Sequence, residues 1–195
     1  MTSIDVLVIG HLERDADGNV IPGETFSTST LIRCPGHNIV VDTSGESMKP
    51  GIKIALKQIG KVFPEDIDTV VLTHVHPDHI GNNGMFPKAK VIIHSGEELE
   101  GAEVIEVDEV EIAKGVKLVH TPGHSAGSMS VFVEGEDRRY AIAGDAIPTK
   151  DNLVKGIPPR LNVDEKQALE SMNRISKWAD VIVPGHGAPF INPKR

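Results

Sequence analysis

The chain has one cysteine, Cys34, in 195 residues. An intrachain disulfide is excluded, so no disulfide framework holds this fold. A lone cysteine is more often a small buried apolar residue than a catalytic thiol. Basic charge is also short, with 20 Lys and Arg against 28 Asp and Glu and a net charge of −8. Such a chain lacks the electrostatic footprint of a non-specific nucleic-acid binder, although bound dications would change the field locally. Long apolar runs are missing: no stretch reaches the length of about 18 residues that a transmembrane helix needs. Residues 1–10 have no basic n-region and carry Asp5 inside their apolar run, which reads as a first strand rather than a signal peptide. A cytoplasmic location with no membrane partner is the expectation. No Pro/Gly-rich linker divides the chain and no solenoid-type repeat recurs, so residues 1–195 read as one domain.

Strand patterns dominate what is present. Residues 4–10, 27–33 and 38–42 read as strands, the last two paired antiparallel across Cys34-Pro35-Gly36. Residues 11–25 are polar, with Asp17-Gly18-Asn19 and Pro22-Gly23, and read as a turn or hairpin loop. Residues 50–59 carry Ile52, Ala55, Leu56 and Ile59 at helical spacing, with Pro50 and Gly60 placed as start and stop. Strands follow at 68–72, 90–94, 104–107, 109–113, 116–120, 128–133, 140–143 and 180–184. A second helix is expected over 165–178, opened by Asp164 and Gln167 in a capping-box pattern. Ala168, Leu169, Met172, Ile175 and Ala179 give that helix one apolar stripe, which reads as core. Each half of the chain runs through strands, a helix, then one strand that ends in a histidine loop. Two packed sheets covered outside by helices satisfy that order, an α/β sandwich of four layers.

Nine histidines are an unusually rich supply, and their placement carries the chemistry. His74-Val75-His76-Pro77-Asp78-His79 sets four potential ligands in one short loop after a strand. Imidazole and carboxylate together suit zinc, iron, manganese or nickel. Gly123-His124, Gly144-Asp145 and Gly185-His186 each follow a strand as well, with glycine permitting close backbone approach. One such pair alone is weak evidence; three added to the first cluster are specific. His11, His37, His94 and His120 fall outside the set and read as loop or core-edge histidines, with His94 and His120 as candidates to support ligands from behind. Ser125 and Ser128 read as turn residues.

In that order, His-x-His-x-Asp-His, Gly-His, Gly-Asp and Gly-His, the residues resemble the metallo-β-lactamase-fold superfamily. The likeness runs from the first strands to His186. The compact hydrolases similar to metallo-β-lactamase-domain-containing protein 1 share Asp78-His79-Ile80-Gly81-Asn82, Pro122-Gly123-His124 and Pro184-Gly185-His186-Gly187. The resemblance implies a four-layered αββα sandwich. It implies that His74, His76 and His124 bind one metal ion, that Asp78, His79 and His186 bind a second, and that Asp145 bridges them. Two divalent ions are expected, zinc first, with iron or manganese as alternatives. A hydroxide between the two ions would be the nucleophile, because two dications lower the pKa of a shared water to near neutrality. Asp78 could orient it and pass a proton to the leaving group; Asp78 and Asp145 are the expected catalytic carboxylates.

Departures from better-known branches narrow the reading. Dedicated β-lactamases usually lack an aspartate at the position of Asp145. Flavodiiron-type relatives carry glutamate where this chain has His76. Acyl-homoserine lactonases generally have a tyrosine shortly after the bridging aspartate, where this chain has Ala146-Ile147-Pro148. Its one tyrosine, Tyr140, precedes the aspartate. The glutathione-binding helical region of glyoxalase II, the insert of the nucleic-acid-processing branch and the arginine-containing run of persulfide dioxygenases are not found. The expectation is a minimal hydrolase acting on a small ester, thioester, lactone or phosphoester, with a small-molecule partner and a homodimer compatible with the fold. The alternatives are a nuclease or RNA-processing phosphodiesterase, which the acidic charge disfavours, a mononuclear iron oxidoreductase of the persulfide dioxygenase type, and a metal-binding module. Residues 11–25 and 146–163 are the loops placed to set preference. Lys150, Lys155 and Arg160 in the second are either a solvated surface or contacts for an anionic substrate.

Overall fold

The computed structural model describes residues 2–60 and 62–195. Its first sheet holds β1 (Ser3–Val8), β2 (Ser29–Cys34), β3 (His37–Val41), β4 (Thr69–Val71), β5 (Lys90–His94) and β6 (Glu103–Ile105), side by side in that order. Its second holds β7 (Glu109–Ala113), β8 (Val116–His120), β9 (Met129–Glu134), β10 (Arg139–Gly144), β11 (Val181–Pro184) and β12 (Phe190–Ile191). The helices are α1 (Lys49–Gly60), the single turn α2 (Pro77–Ile80), α3 (Lys150–Lys155) and α4 (Glu165–Trp178). None is long and apolar enough to cross a membrane.

Successive side chains on a strand point to opposite faces, and here that alternation sorts the interior into three packed layers. Leu31, Val40, Val70 and Ile93 face Ile52 and Leu56 of α1. Their neighbours Ile32, Ile39, Val41, Val71 and Ile92 face the other sheet, meeting Leu118, Val131, Ile142 and Val183. Val119, Phe132, Ala141 and Ile182, one residue away from those, face Met172 and Ile175 of α4. The expected order of helix, sheet, sheet, helix follows directly. The apolar stripe of α4 is core, and Asp164 caps that helix by accepting the Gln167 backbone N–H at 2.9 Å. Cys34 is buried and unpaired.

Strand direction decides where the functional loops go. β1, β2 and β3 are antiparallel, whereas β3, β4, β5 and β6 run parallel. In the second sheet β8, β9 and β10 are antiparallel and β10 and β11 parallel, so β8, β10 and β11 all run the same way. The carboxyl ends of β3, β4 and β5 therefore share one rim, as do those of β8, β10 and β11. The two rims are joined where the Met129 N–H donates to the Thr73 carbonyl at 2.8 Å.

Details differ from the sequence expectation at element ends. The first strand stops at Val8 because pairing slips between Val6 and Val8 and the Gly10 N–H turns to Thr28 Oγ1. The strand expected over 104–107 forms over Glu103–Ile105 instead. α2, α3 and β12 were not expected; α2 and α3 are too short to show a periodic pattern, and β12 owes its two residues to pairing with β11.

Leu118 is wholly buried between the sheets. Leu118→Ala should lower unfolding free energy by about 2–5 kcal/mol through lost burial and the cavity left behind. The denaturant midpoint measures it, and a loss under about 1 kcal/mol would contradict the inter-sheet packing described.

Candidate metal centre

Each candidate ligand stands just beyond a strand that ends on the shared rim. His74 and His76 follow β4, and Asp78 and His79 lie in α2 immediately after them. His124 follows β8, Asp145 follows β10, and His186 follows β11. All seven sequence candidates are brought together. His74, His79, His124, Asp145 and His186 are buried, while His76 and Asp78 are half-buried and open to a cavity.

Two groups form within the cluster. In the first, His74 Nε2, His76 Nδ1 and His124 Nε2 are 3.0–3.2 Å from one another. Nitrogens bound to one tetrahedral zinc at roughly 2.0–2.1 Å would lie roughly 3.3 Å apart, so this triangle suits a metal ion. In the second, His186 Nε2 is 3.5 Å from Asp78 Oδ2 and 3.3 Å from Asp145 Oδ1. His79 Nε2 lies 4.0 Å from Asp78 Oδ2 and 3.5 Å from Asp145 Oδ1. Asp145 stands between the groups: Oδ1 faces His79 and His186, and Oδ2 is 3.6 Å from His124 Nε2. A Cβ at Gly185 would overlap Asp145 Oδ1, so only glycine leaves the carboxylate its place.

The outward nitrogens explain why the inward ones are free. His79 Nδ1 is 2.8 Å from Asp42 Oδ2, His124 Nδ1 is 2.7 Å from the Leu161 carbonyl, and His186 Nδ1 is 3.0 Å from the Phe26 carbonyl. An imidazole that donates through Nδ1 keeps its Nε2 lone pair for the interior. Among the described residues, His79 Nε2 and Asp145 Oδ1 are both buried without a hydrogen-bond partner. Buried polar atoms are rarely left so, and a cation between them would satisfy both.

A family model for the metallo-β-lactamase superfamily matches residues 22–186. The chain belongs to that superfamily. It is 40% identical over 148 residues to a Methanocaldococcus jannaschii protein named probable metallo-hydrolase, covering 76% of this chain and 70% of that one. It is 30% identical to metallo-β-lactamase domain-containing protein 1 of Xenopus laevis, covering 96% of this chain and 81% of that protein. A crystal structure of a quorum-quenching N-acyl homoserine lactone hydrolase superposes with a TM-score of 0.74 at 26% identity, covering 94% of this chain and 91% of the other.

Electrostatics in this superfamily member show what the ligand groups do without a metal ion. Burial and the neighbouring imidazoles hold His74 well below the ordinary histidine range, and burial lowers His76 as well. Burial would also lower His79, but the Asp42 and Asp145 carboxylates outweigh it and hold its pKa well above the ordinary value. His186 is raised in the same way: burial opposes its charge and Asp145 more than offsets that. Burial would raise Asp145, yet His186 and His79 pull it well below the usual carboxylate range. Protons on His79 and His186 thus stand where a cation's charge would.

Two supporting carboxylates were not singled out from sequence. Asp42, just past β3, accepts the Thr73 N–H and hydroxyl at 2.8 Å each, besides His79. Its position closing an apolar strand, like that of Asp145, was the available signal. Glu97, after β5, accepts the Val75 N–H through Oε2, and the Ser125 hydroxyl and Gly127 N–H through Oε1. It clips the loop of His74 and His76 to the turn of His124, and nothing local in the sequence marks it. His94 and His120 stack on each other, ring centroids 3.8 Å apart, and join neither ligand group. His11 pairs with Glu13 and His37 with Asp68. Of the three loop cations, only Arg160 lines the cavity. Lys155 pairs with Asp151 at 2.6 Å and Lys150 lies over the Phe190 ring, so neither serves the site.

Metal must displace the protons on His79 and His186. Because their pKa values are raised, these groups hold their protons to higher pH than an ordinary imidazole and let go as pH climbs. Apparent metal affinity should therefore rise with pH, with protons released on uptake. Metal titration against a pH indicator measures this, and a pH-independent affinity without proton release would contradict it. Asp42→Asn should weaken metal binding by about 10–100-fold, read by chelator competition; wild-type affinity would mean that Asp42 does not support His79.

Proposed function

We propose that the chain is a dinuclear metal-dependent hydrolase of small esters, thioesters, lactones or phosphoesters. The observation that carries this reading is the placement of Asp145, whose two oxygens face two separate sets of inward-pointing ligand atoms. His74, His76 and His124 would hold one divalent ion and Asp78, His79 and His186 the other, with Asp145 shared; zinc suits the donor set, and iron or manganese also accept it. Such ions, when bound, supply a hydroxide nucleophile near neutral pH and polarise the carbonyl or phosphoryl oxygen under attack. The names of the relatives point the same way, one a probable metallo-hydrolase and one an N-acyl homoserine lactone hydrolase.

The chain's own residues supply placement and proton transfer. The cavity above the ligand atoms holds about 260 Å³ and is walled by Leu12, Val20, Pro148, Pro159 and Leu161. Val20 and Leu161 are exposed at its rim, so these apolar walls flank the ligand atoms while the mouth stays open for a substrate to enter. A larger trough of about 680 Å³ adjoins it, sharing Val20, Thr25, Pro77 and Asp78, and gives a substrate's remote part a place to lie. Asp78 differs from Asp145 in exposure, its side chain being 25% accessible against 11%. It faces the cavity, where a carboxylate can take a proton from the attacking group and hand it to the departing oxygen or sulfur. Asp145, deeper and held ionised, is suited to keeping the ligand sets in register.

Protein purified without added metal should contain about two metal ions per chain by elemental analysis, as seven ligands in two groups require. It should turn over at least one member of a panel of phosphodiester, thioester, lactone and β-lactam. Asp145→Ala should drop the content to about one ion and cut kcat/KM by about a hundredfold or more while the fold persists. A fully active Asp145→Ala protein with one metal would sink the shared-ligand reading; one iron per chain with oxygen uptake and no hydrolysis would replace it with the oxidoreductase.

A further inference from the structure

The arginines divide into two kinds. Arg33, Arg138, Arg139, Arg174 and Arg195 each ion-pair with a carboxylate. Arg14 and Arg160 have no such partner among the described residues, and they are the two that line the metal cavity. Both therefore bring their charge to one cavity, in a chain of net charge −8 where carboxylates are in excess.

Their positions are built. The hairpin that carries Arg14 is closed by backbone bonds between His11 and Phe26, and the Phe26 carbonyl is the group that holds His186 Nδ1. Arg160 precedes Leu161, whose carbonyl holds His124 Nδ1. Arg160 is thus one residue from a carbonyl that holds an imidazole on the cavity floor, and Arg14 is three residues from His11, whose carbonyl also lies 3.3 Å from His186 Nδ1. The two side chains then converge. Arg14 Nη1 and Arg160 Nη1 each donate to the Gly18 carbonyl at 2.8 Å, which puts the two nitrogens within twice that distance of each other. Arg160 Nη2 also donates to the Asp17 carbonyl at 3.0 Å. Gly18 has φ +81, and a Cβ there would run into the Arg160 guanidinium.

Two like charges held close beside apolar walls repel one another, and the carbonyl they share neutralises neither. A bound anion would. Guanidinium groups present planar donor forks that match carboxylate and phosphate oxygens, and their remaining N–H groups are uncommitted here. We propose that Arg14 and Arg160 form an anion clamp at the mouth of the metal cavity, selecting substrates that carry a carboxylate or phosphate group away from the bond that is cleaved. The substrate half of this inference rests on the hydrolase reading above; the anion site itself does not. It makes Arg14 and Arg160 specificity residues, not catalytic ones, because they line the cavity and belong to neither ligand group.

Calorimetry on the metal-loaded protein tests the site without turnover, with glutarate and butyrate as probes. Both offer one carboxylate to the metal ions, and only glutarate has a second for the clamp. Glutarate should bind about tenfold or more tighter than butyrate. Arg14→Gln/Arg160→Gln should abolish the preference, and Arg160→Gln alone, on an exposed side chain, should reduce it, so that a folding defect in the double variant does not decide the result. Lys155→Gln, a cation outside the cavity, should keep the full preference. Phosphonopropionate against glutarate then reports which anion fits better, and tighter binding of either than of butyrate supports the clamp. Turnover supplies the second arm: the ratio of kcat/KM for mono-para-nitrophenyl glutarate over para-nitrophenyl valerate should fall by about tenfold in the double variant. No glutarate preference in the wild type, or one that survives in the double variant, overturns the clamp even if the neutral ester is hydrolysed. Retained glutarate preference with no hydrolysis of either ester leaves the clamp standing and removes the hydrolase reading.

Discussion

Asp42 holds more of the site than any ligand does. Its carboxylate is buried, accepts the Thr73 N–H and hydroxyl, and fixes the outer nitrogen of His79. Thr73 precedes the first histidine of the cluster, and its carbonyl receives the Met129 N–H from the opposite sheet. One buried carboxylate thus ties the end of β3 to the start of the ligand loop, at the point where the sheets join. A buried charge is tolerated only when its lone pairs are filled. The same bonds that make Asp42 tolerable make the loop rigid.

The inner cluster is the converse case. Imidazole and carboxylate atoms face each other at 3.0–4.0 Å, too many for the hydrogen bonds available to satisfy. The raised His79 and His186 and the depressed Asp145 describe a cluster that takes up protons in place of a cation. The framework around it resists collapse, since the outer nitrogens of His79, His124 and His186 are committed to Asp42, Leu161 and Phe26. The Leu161 and Phe26 carbonyls lie in or beside the segments that line the cavity. The groups that hold the ligands therefore also hold the loops that a substrate must meet.

Much of the architecture was legible in the sequence because period and punctuation are local. Short apolar, β-branched runs marked β5, β7 and β8 to the residue, and the Asp164 cap with its apolar stripe marked α4. The candidate ligands were legible because residues that end strands beside glycine leave a short-range signature. Glu97 was not: its role consists of bonds to Val75, Ser125 and Gly127, which are distant in the chain. The loop cations show the same limit. Lys150, Lys155 and Arg160 look alike in sequence, yet Asp151 takes Lys155, Phe190 underlies Lys150, and only Arg160 reaches the cavity.

The strand and helix pattern, the packed-sheet order and a set of histidines and aspartates at strand ends can all be read from the residues in their order. Those are properties of side-chain period and residue chemistry. Tertiary structure alone decided which sheet each strand joined, which carboxylate stood behind each imidazole, and that Arg14 on one loop meets Arg160 on another across the Gly18 carbonyl. Such pairings depend on strand direction and on backbone atoms, whose positions no residue type encodes.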